Sequence, residues 1–180
     1  MTEEHHLITA LKNPKEKHMA FGTLLKIYKE RLYWHIRKIV ISHDDADDVL
    51  QNTFIKIYKN IDNFKGESQL YSWMYRIATN ESLTHLKKQS KKQQLSTSEY
   101  KEQLIMNLEA DVYFEGNEIQ KKLQMAIAQL PEKQQLVFNM KYFDEVKYKD
   151  MAKILETSEG ALKSSYHLAV KKIKLFLTSN

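Results

Sequence analysis

At 180 residues, with 42% apolar and 28% charged side chains and a formal net charge of +5, the chain has the make-up of a globular protein of one medium or two small domains. It holds no cysteine, which excludes disulfides and thiolate metal sites, and its 4 glycines and 2 prolines disfavour a turn-rich β fold. No run reaches the ~18 apolar residues of a membrane span, and the positive charge admits an anionic partner without naming one.

The N-terminus, "MTEEHHLITALKNPKEK", has no apolar core ending in small residues and does not read as a signal peptide. From Phe21 to Leu86 apolar residues recur at helical spacing. Phe21, Leu24, Leu25 and Tyr28 form one stripe, and Leu32, Ile36, Ile39 and Val40 continue it. Ser42 before "HDDADDV" is a helix start, a capping residue followed by acids where the helix dipole favours them. Ala46, Val49, Leu50, Thr53 and Ile57 make the buried stripe of that helix. "NIDNFKGES" is a loop signal, and "LYSWMYRIATNESLTHL" is a further apolar helix with Leu70, Trp73 and Ile77 as core. The stretch from "KKQSKKQQLSTSEYKEQL" to about Gly116 loses the pattern. It reads as a linker with a short helix near Leu104 to Leu108, the place where protease would cut first.

The last part is compact. Ile119, Leu123, Ala126, Ile127 and Leu130 form an amphipathic helix that ends at Leu130-Pro131, and Leu136, Val137, Met140 and Phe143 mark the next. "YKDMAKIL" is a short helix, "ETS" a tight turn, and Ser158 caps a long final helix. Two helices at a sharp angle, the second exposed, make a helix-turn-helix. The expected fold is therefore all-α, two small helical domains (1–88 and 118–180) joined by a flexible linker (89–117), with the helix-turn-helix in the second.

On the final helix Leu162, Tyr166, Ala169 and Ile173 fall on one side, and Lys163, Ser164, His167 and Lys171 on the other. A recognition helix enters the major groove by its N-terminal end. Gly160, beside Glu159, would let backbone N–H groups approach a phosphate. Lys163, Ser164 and His167 carry the hydrogen-bonding groups that read base edges. Lys171, Lys172 and Lys174 lie where the helix would pass phosphates. That stretch alone does not separate DNA reading from a solvated helix face. A dimeric DNA-binding regulator and a protein-binding helical adaptor are the rival functions.

"YKDMAKILETSEGALKSSYHLAVKKIK" resembles the C-terminal helix-turn-helix of extracytoplasmic-function (ECF) sigma factors, the small alternative sigma subunits of bacterial RNA polymerase. "DDADDVLQNTFIKIYKNIDNFKGESQLYSWMYRIATN" independently resembles that family's N-terminal domain, and "LPEKQQLVFNMKYFDEVKY" its lead-in to the helix-turn-helix. Two motifs in the right order and at the right distance are specific. The flavour is similar to that of members from Bacteroidetes-type bacteria.

The resemblance implies roles for named residues. Asp48, Gln51, Asn52 and Ile55, flanked by Asp47 and Tyr58, would dock on the clamp helices of the polymerase largest subunit. They share one face at i, i+3, i+4 and i+7, opposite the buried stripe. Phe64, Lys65, Gly66 and Ser68 would hold an unstacked base of the minus-ten element, with Tyr71, Tyr75, Arg76 and Asn80 along the same strand. Aromatic stacking repays ~1–3 kcal/mol per base. Glu159, Gly160, Lys163, Ser164, His167, Lys171 and Lys172 would read the minus-thirty-five element. The partners implied are core RNA polymerase, including the flap of its second-largest subunit, promoter DNA and an anti-sigma factor, in the cytoplasm. No small-molecule substrate, cofactor or catalysis is implied. The run lacks the paired tryptophans of housekeeping sigma factors, so only promoters near consensus should open.

This chain departs from the family at four places. Glu156 stands where glycine is usual, Thr157 where an apolar residue is usual, and Ser165 and Leu168 where arginines are usual. The first two predict a less regular turn, and the last two a changed base preference. The seven histidines show no metal-ligand spacing.

Overall fold

The computed structural model describes residues 3–107 and 118–179. Among them are nine α-helices and one 3-10 turn, and no strand. α2 (Lys17–Val40), α3 (His43–Asn60) and α4 (Leu70–Lys92) pack on one another as a three-helix unit. α1 (Glu3–Lys12) lies across α2. α6 (Glu118–Ala128), α7 (Glu132–Tyr142), α8 (Tyr148–Leu155) and α9 (Glu159–Ser179) form a second unit. Between them α5 (Thr97–Met106) touches both α4 and α6. No helix among the described residues is long and apolar enough to cross a membrane.

The apolar stripes explain the first unit. Leu24, Leu32, Ile36, Ile39 and Val40 of α2 are buried against Ala46, Val49, Leu50, Phe54 and Ile57 of α3 and Leu70, Met74, Tyr75, Ala78 and Leu86 of α4. Each large side chain so buried contributes about 1.5–3 kcal/mol. Ser42 Oγ accepts from Asp45 N at 3.3 Å, which fixes the start of α3 as the sequence predicts. In α4 the face expected from Leu70, Trp73 and Ile77 is rotated. Leu70 is buried, but Trp73 and Ile77 are only half-buried, and Met74, Tyr75 and Ala78 fill the core.

The second unit closes on Ala126, Ile127, Leu130, Phe138, Ala169 and Ile173. Phe138 stacks on Tyr166 at 5.9 Å. The α8–α9 turn is tight despite its unusual residues. Glu156 adopts the left-handed conformation (φ 50°), Thr157 N returns to Ala152 O at 3.1 Å, and Ser158 Oγ accepts from Ala161 N at 3.2 Å. A left-handed residue is why glycine suits this place, and a non-glycine there costs roughly 1–2 kcal/mol.

Two elements were not expected. α1 braces the loop before α4: Glu4 Oε1 accepts from Leu70 N at 2.9 Å, and Lys12 Nζ donates to Phe64 O at 2.5 Å. Much of the stretch 89–107, expected as part of a linker, is helical. α4 continues to Lys92, and α5 begins at a capping box between Ser96 and Glu99 and buries Tyr100, Lys101 and Ile105. The short helix expected at Leu104 to Leu108 is the end of α5; residue 108 and the rest of the expected linker to 117 lie outside the described residues.

Candidate nucleic-acid and polymerase interfaces

On α3 the helical period turns Asp47, Asp48, Gln51, Asn52, Ile55 and Tyr58 outward together, opposite the buried stripe. Ile55 is 46% exposed, an aliphatic set among acids and amides. Tyr58 is anchored at its edge by Phe21, with ring centroids 4.9 Å apart, and by Lys17 over its face. Asp44 and Asp45 do not share one role. Asp44 is exposed in the first turn, whereas Asp45 Oδ1 lies 2.8 Å from His85 Nε2 of α4 and meets the Tyr100 hydroxyl of α5. Burial first, and then the charge of Asp45, pushes the Tyr100 hydroxyl up. Asp45 is thus a brace between three helices, which no local spacing disclosed.

The loop before α4 presents only part of its expected set. Lys65 and Gly66 are exposed and Ser68 half-buried, with Gly66 at φ 75°, a conformation that favours glycine. Phe64 is buried (3% exposed) with its ring 5.3 Å from Trp73, so its ring has no face open to a base in this conformation. Tyr75 is likewise fully buried, its ring 4.5 Å from His35 and its hydroxyl taking a hydrogen bond from Arg31 Nε at 3.1 Å. Burial, then the charge of Asp144, drives its pKa upward. Tyr71 is half-buried. Its pKa is pushed up to about 12, first by burial and then by a hydrogen bond to Asp150 of α8. Arg76, its side chain 41% exposed, pairs with Glu156 at 2.9 Å, and Asn80 is exposed.

On α9 the arrangement is open. Glu159, Gly160, Lys163, Ser164, His167, Lys171 and Lys172 are all exposed, while Leu162, Ala169 and Ile173 hold the helix to its unit. Lys163 Nζ lies 5.8 Å from the Tyr148 ring centroid, which steadies a long side chain at the groove-facing end. A Cβ built on Gly160 would meet nothing within 4 Å, so the fold itself does not demand glycine there.

Comparison with known proteins gives these surfaces a family. The model of sigma-70 region 2 matches residues 24–92, and that of sigma-70 region 4 matches residues 120–173. The chain is an extracytoplasmic-function sigma factor of the sigma-70 family. It is 27% identical over 156 residues to the ECF RNA polymerase sigma factor SigW of Bacillus subtilis, covering 82% of this chain and 83% of that one. It is 28% identical over 161 residues to the RNA polymerase sigma-H factor of Pseudomonas aeruginosa (81% and 79% covered). A third relative is the ECF RNA polymerase sigma-E factor of Haemophilus influenzae, 27% identical over 163 residues (86% of each). These sources lend no support to a Bacteroidetes-like origin. Among solved structures, CnrH in complex with the cytosolic domain of CnrY matches with a TM-score of 0.72 over 98% of both chains at 17% identity. The sigma factor RpoE in complex with the anti-sigma factor NepR from Bartonella quintana matches with a TM-score of 0.68 at 19% identity, covering 88% of this chain and 96% of that one. At such identities the two structures speak to the fold alone.

A sigma factor is a specificity subunit rather than an enzyme, and this one directs transcription initiation with RNA polymerase. No group of three or more histidines and acids suited to a metal ion occurs among the described residues.

Proposed function

We propose that each open surface of this sigma factor meets one component of the initiation complex. The α3 face, Asp47, Asp48, Gln51, Asn52, Ile55 and Tyr58, docks on the clamp helices of the polymerase largest subunit, and the region 4 unit meets the flap of the second-largest subunit. Asp48 pairs a basic side chain of the partner, Gln51 bridges, and Ile55 is covered. α9 enters the major groove of the minus-thirty-five element, with Lys163, Ser164 and His167 at base edges and Lys171 and Lys172 at phosphates. Lys65, Gly66, Ser68, Tyr71, Arg76 and Asn80 follow the opened minus-ten strand. Phe64 and Tyr75 support that surface from beneath. The domains divide at 1–88, 89–117 and 118–180, and the chain works in the cytoplasm, where an anti-sigma factor can hold it.

The observation that carries this assignment is the outward turn of the Asp48, Gln51 and Ile55 face on a helix whose opposite side is buried and, Thr53 aside, apolar. The decisive experiment is transcription in vitro with purified core enzyme and fragmented genomic DNA. The native chain should create new start sites. Asp48→Ala with Gln51→Ala should keep the helical fold and weaken core pull-down several-fold or more. Wild-type pull-down by the double variant would count against the face.

A further inference from the structure

α1 belongs to none of the surfaces assigned above, yet it holds both ends of one of them. Its inner side is anchored: Leu11 is fully buried, and Leu7, Ile8 and Ala10 pack on the first core. From this helix Lys12 Nζ donates at 2.5 Å to the carbonyl of Phe64, where the chain leaves the 3-10 turn Ile61–Asn63. The Glu4 carboxylate accepts at 2.9 Å from Leu70 N, where α4 begins. The two ties stand about two turns apart on α1, ~12 Å along its axis. A third tie joins α2 to the same turn, Lys17 Nζ to Asp62 Oδ2 at 2.7 Å.

The loop between Phe64 and Leu70 has little else to fix its path. Phe64 N returns to Ile61 O and Trp73 N to Gln69 O, but among the described residues no backbone hydrogen bond closes within residues 65–68. Lys65, Gly66 and Glu67 are exposed, Gly66 is left-handed, and a Cβ built on it would meet nothing within 4 Å. Lys153 of α8 reaches Glu67 O at 3.2 Å, an exposed contact that leaves the loop ends untouched. A segment without bonds of its own takes its path from its ends, and a binding site needs such support to hold its geometry.

Helix capping accounts for only part of this arrangement. Gln69, at the N-cap of α4, is extended (ψ 147°) and makes no side-chain cap, so a carboxylate from elsewhere suits the open N–H and the helix dipole. That reason covers Glu4. It does not cover Lys12, whose acceptor lies at the other end of the loop, nor the placing of both groups on one short, anchored strut.

We propose that α1 is a positioning element for promoter opening: Glu4 and Lys12 set the two ends of the loop so that Lys65, Gly66 and Ser68 meet the unstacked minus-ten base. Neither Glu4 nor Lys12 touches DNA; each acts through the loop. The inference rests on the assignment of that loop to the minus-ten strand.

The test uses holoenzyme on a promoter recovered from the genomic transcription experiment, with a fluorescent adenine analogue in the minus-ten element to report unstacking. Glu4→Ala should lower opening several-fold and flatten the ranking of minus-ten variants, while binding to a duplex that holds only the minus-thirty-five element stays native. Lys12→Met, which keeps the aliphatic stem, should act in the same direction by less. Gln69→Ser separates position from stability. Serine at the N-cap gives α4 a local cap, so adding it to Glu4→Ala should restore thermal stability but not opening, because a local cap does not tie the loop to α1. Gln69→Ser alone should open like the native chain. Recovery of opening together with stability would reduce Glu4 to a cap and overturn the proposal, as would native opening by Glu4→Ala and Lys12→Met. Lys65→Ala with Ser68→Ala tests the assignment itself. If that variant opens like the native chain, the assignment falls and the inference with it; if it fails while the α1 variants open normally, the inference alone falls.

Discussion

The two helices assigned to DNA present themselves differently. On α9, Glu159, Gly160, Lys163, Ser164, His167, Lys171 and Lys172 are all exposed, and the helix serves the fold through its opposite face. On α4, Tyr75 is fully buried, Tyr71 faces Asp150 of α8, Arg76 pairs with Glu156 while its side chain stays 41% exposed, and Asn80 is exposed. On the proposed assignment, duplex reading by α9 would ask nothing of the rest of the chain, whereas strand capture by α4 would ask for a change of shape.

The largest effect should come from the seam between the two units, where Asp144 of the loop after α7, its side chain 5% exposed, meets His35 and Lys38 of α2. Asp144→Ala strands buried His35 and partly buried Lys38, and removing one partner of a buried pair costs about 3–5 kcal/mol. Urea unfolding of the full chain measures this, and a loss below about 1 kcal/mol would mean that the seam is a loose contact. The same carboxylate gives a pH dependence. Burial pushes Asp144 up, but His35 and Lys38 outweigh it and hold the group below its ordinary value. A depressed folded pKa stabilises fully above the unfolded value, near ~3.9, and the contribution is lost as pH falls through the lower folded value. Trp34 lines the same groove as Asp144, so its fluorescence in a Trp73→Phe background should report opening in that acid range and none at neutral pH.

The recognition helix should respond in a different currency. Lys163→Ala and His167→Ala should each remove ~1–3 kcal/mol of discrimination among minus-thirty-five variants. Lys172→Ala should weaken all sequences alike and lower the salt slope by roughly one unit. These effects should be the same in the isolated chain and in holoenzyme, whereas Tyr71→Ala should weaken DNA binding only in holoenzyme. Equal effects of Tyr71→Ala in both would erase the contrast between the helices.

Smaller effects separate fold from function at two turn residues. Glu156→Gly should raise thermal stability of the full chain by about 1 kcal/mol, because the left-handed conformation suits glycine. Gly160→Ala should also stabilise, by up to about 1 kcal/mol, since the added carbon meets open space. If Gly160→Ala also leaves promoter binding unchanged, the glycine serves neither the fold nor a phosphate.

Much of this was legible where the signals are local. Ser42 and its following acids, Pro131 immediately before α7, and Ser158 after the turn marked helix starts in their own immediate neighbourhoods. The outward face of α3 follows from its stripe. Tyr75, which the sequence offers as a DNA-facing aromatic, is buried here: its stripe, with Thr79, Ser82 and Leu86, is half polar, and short hydroxyl residues hide a core face. The capping box of α5 stands in the sequence as Ser96 and Glu99 but is surrounded by lysine and glutamine that read as solvated chain. The seam could not be read at all. His35 and Asp144 are 109 residues apart, and no periodicity connects them.

α5 holds to both units, through Tyr100 beside Asp45 and His85 and through Lys101 to Gln135. Closure is thus a unimolecular event. Tethered partners meet at effective concentrations on the order of millimolar whatever the number of molecules in the cell. Contacts too weak to hold two separate proteins suffice within one chain, and dilution does not release them.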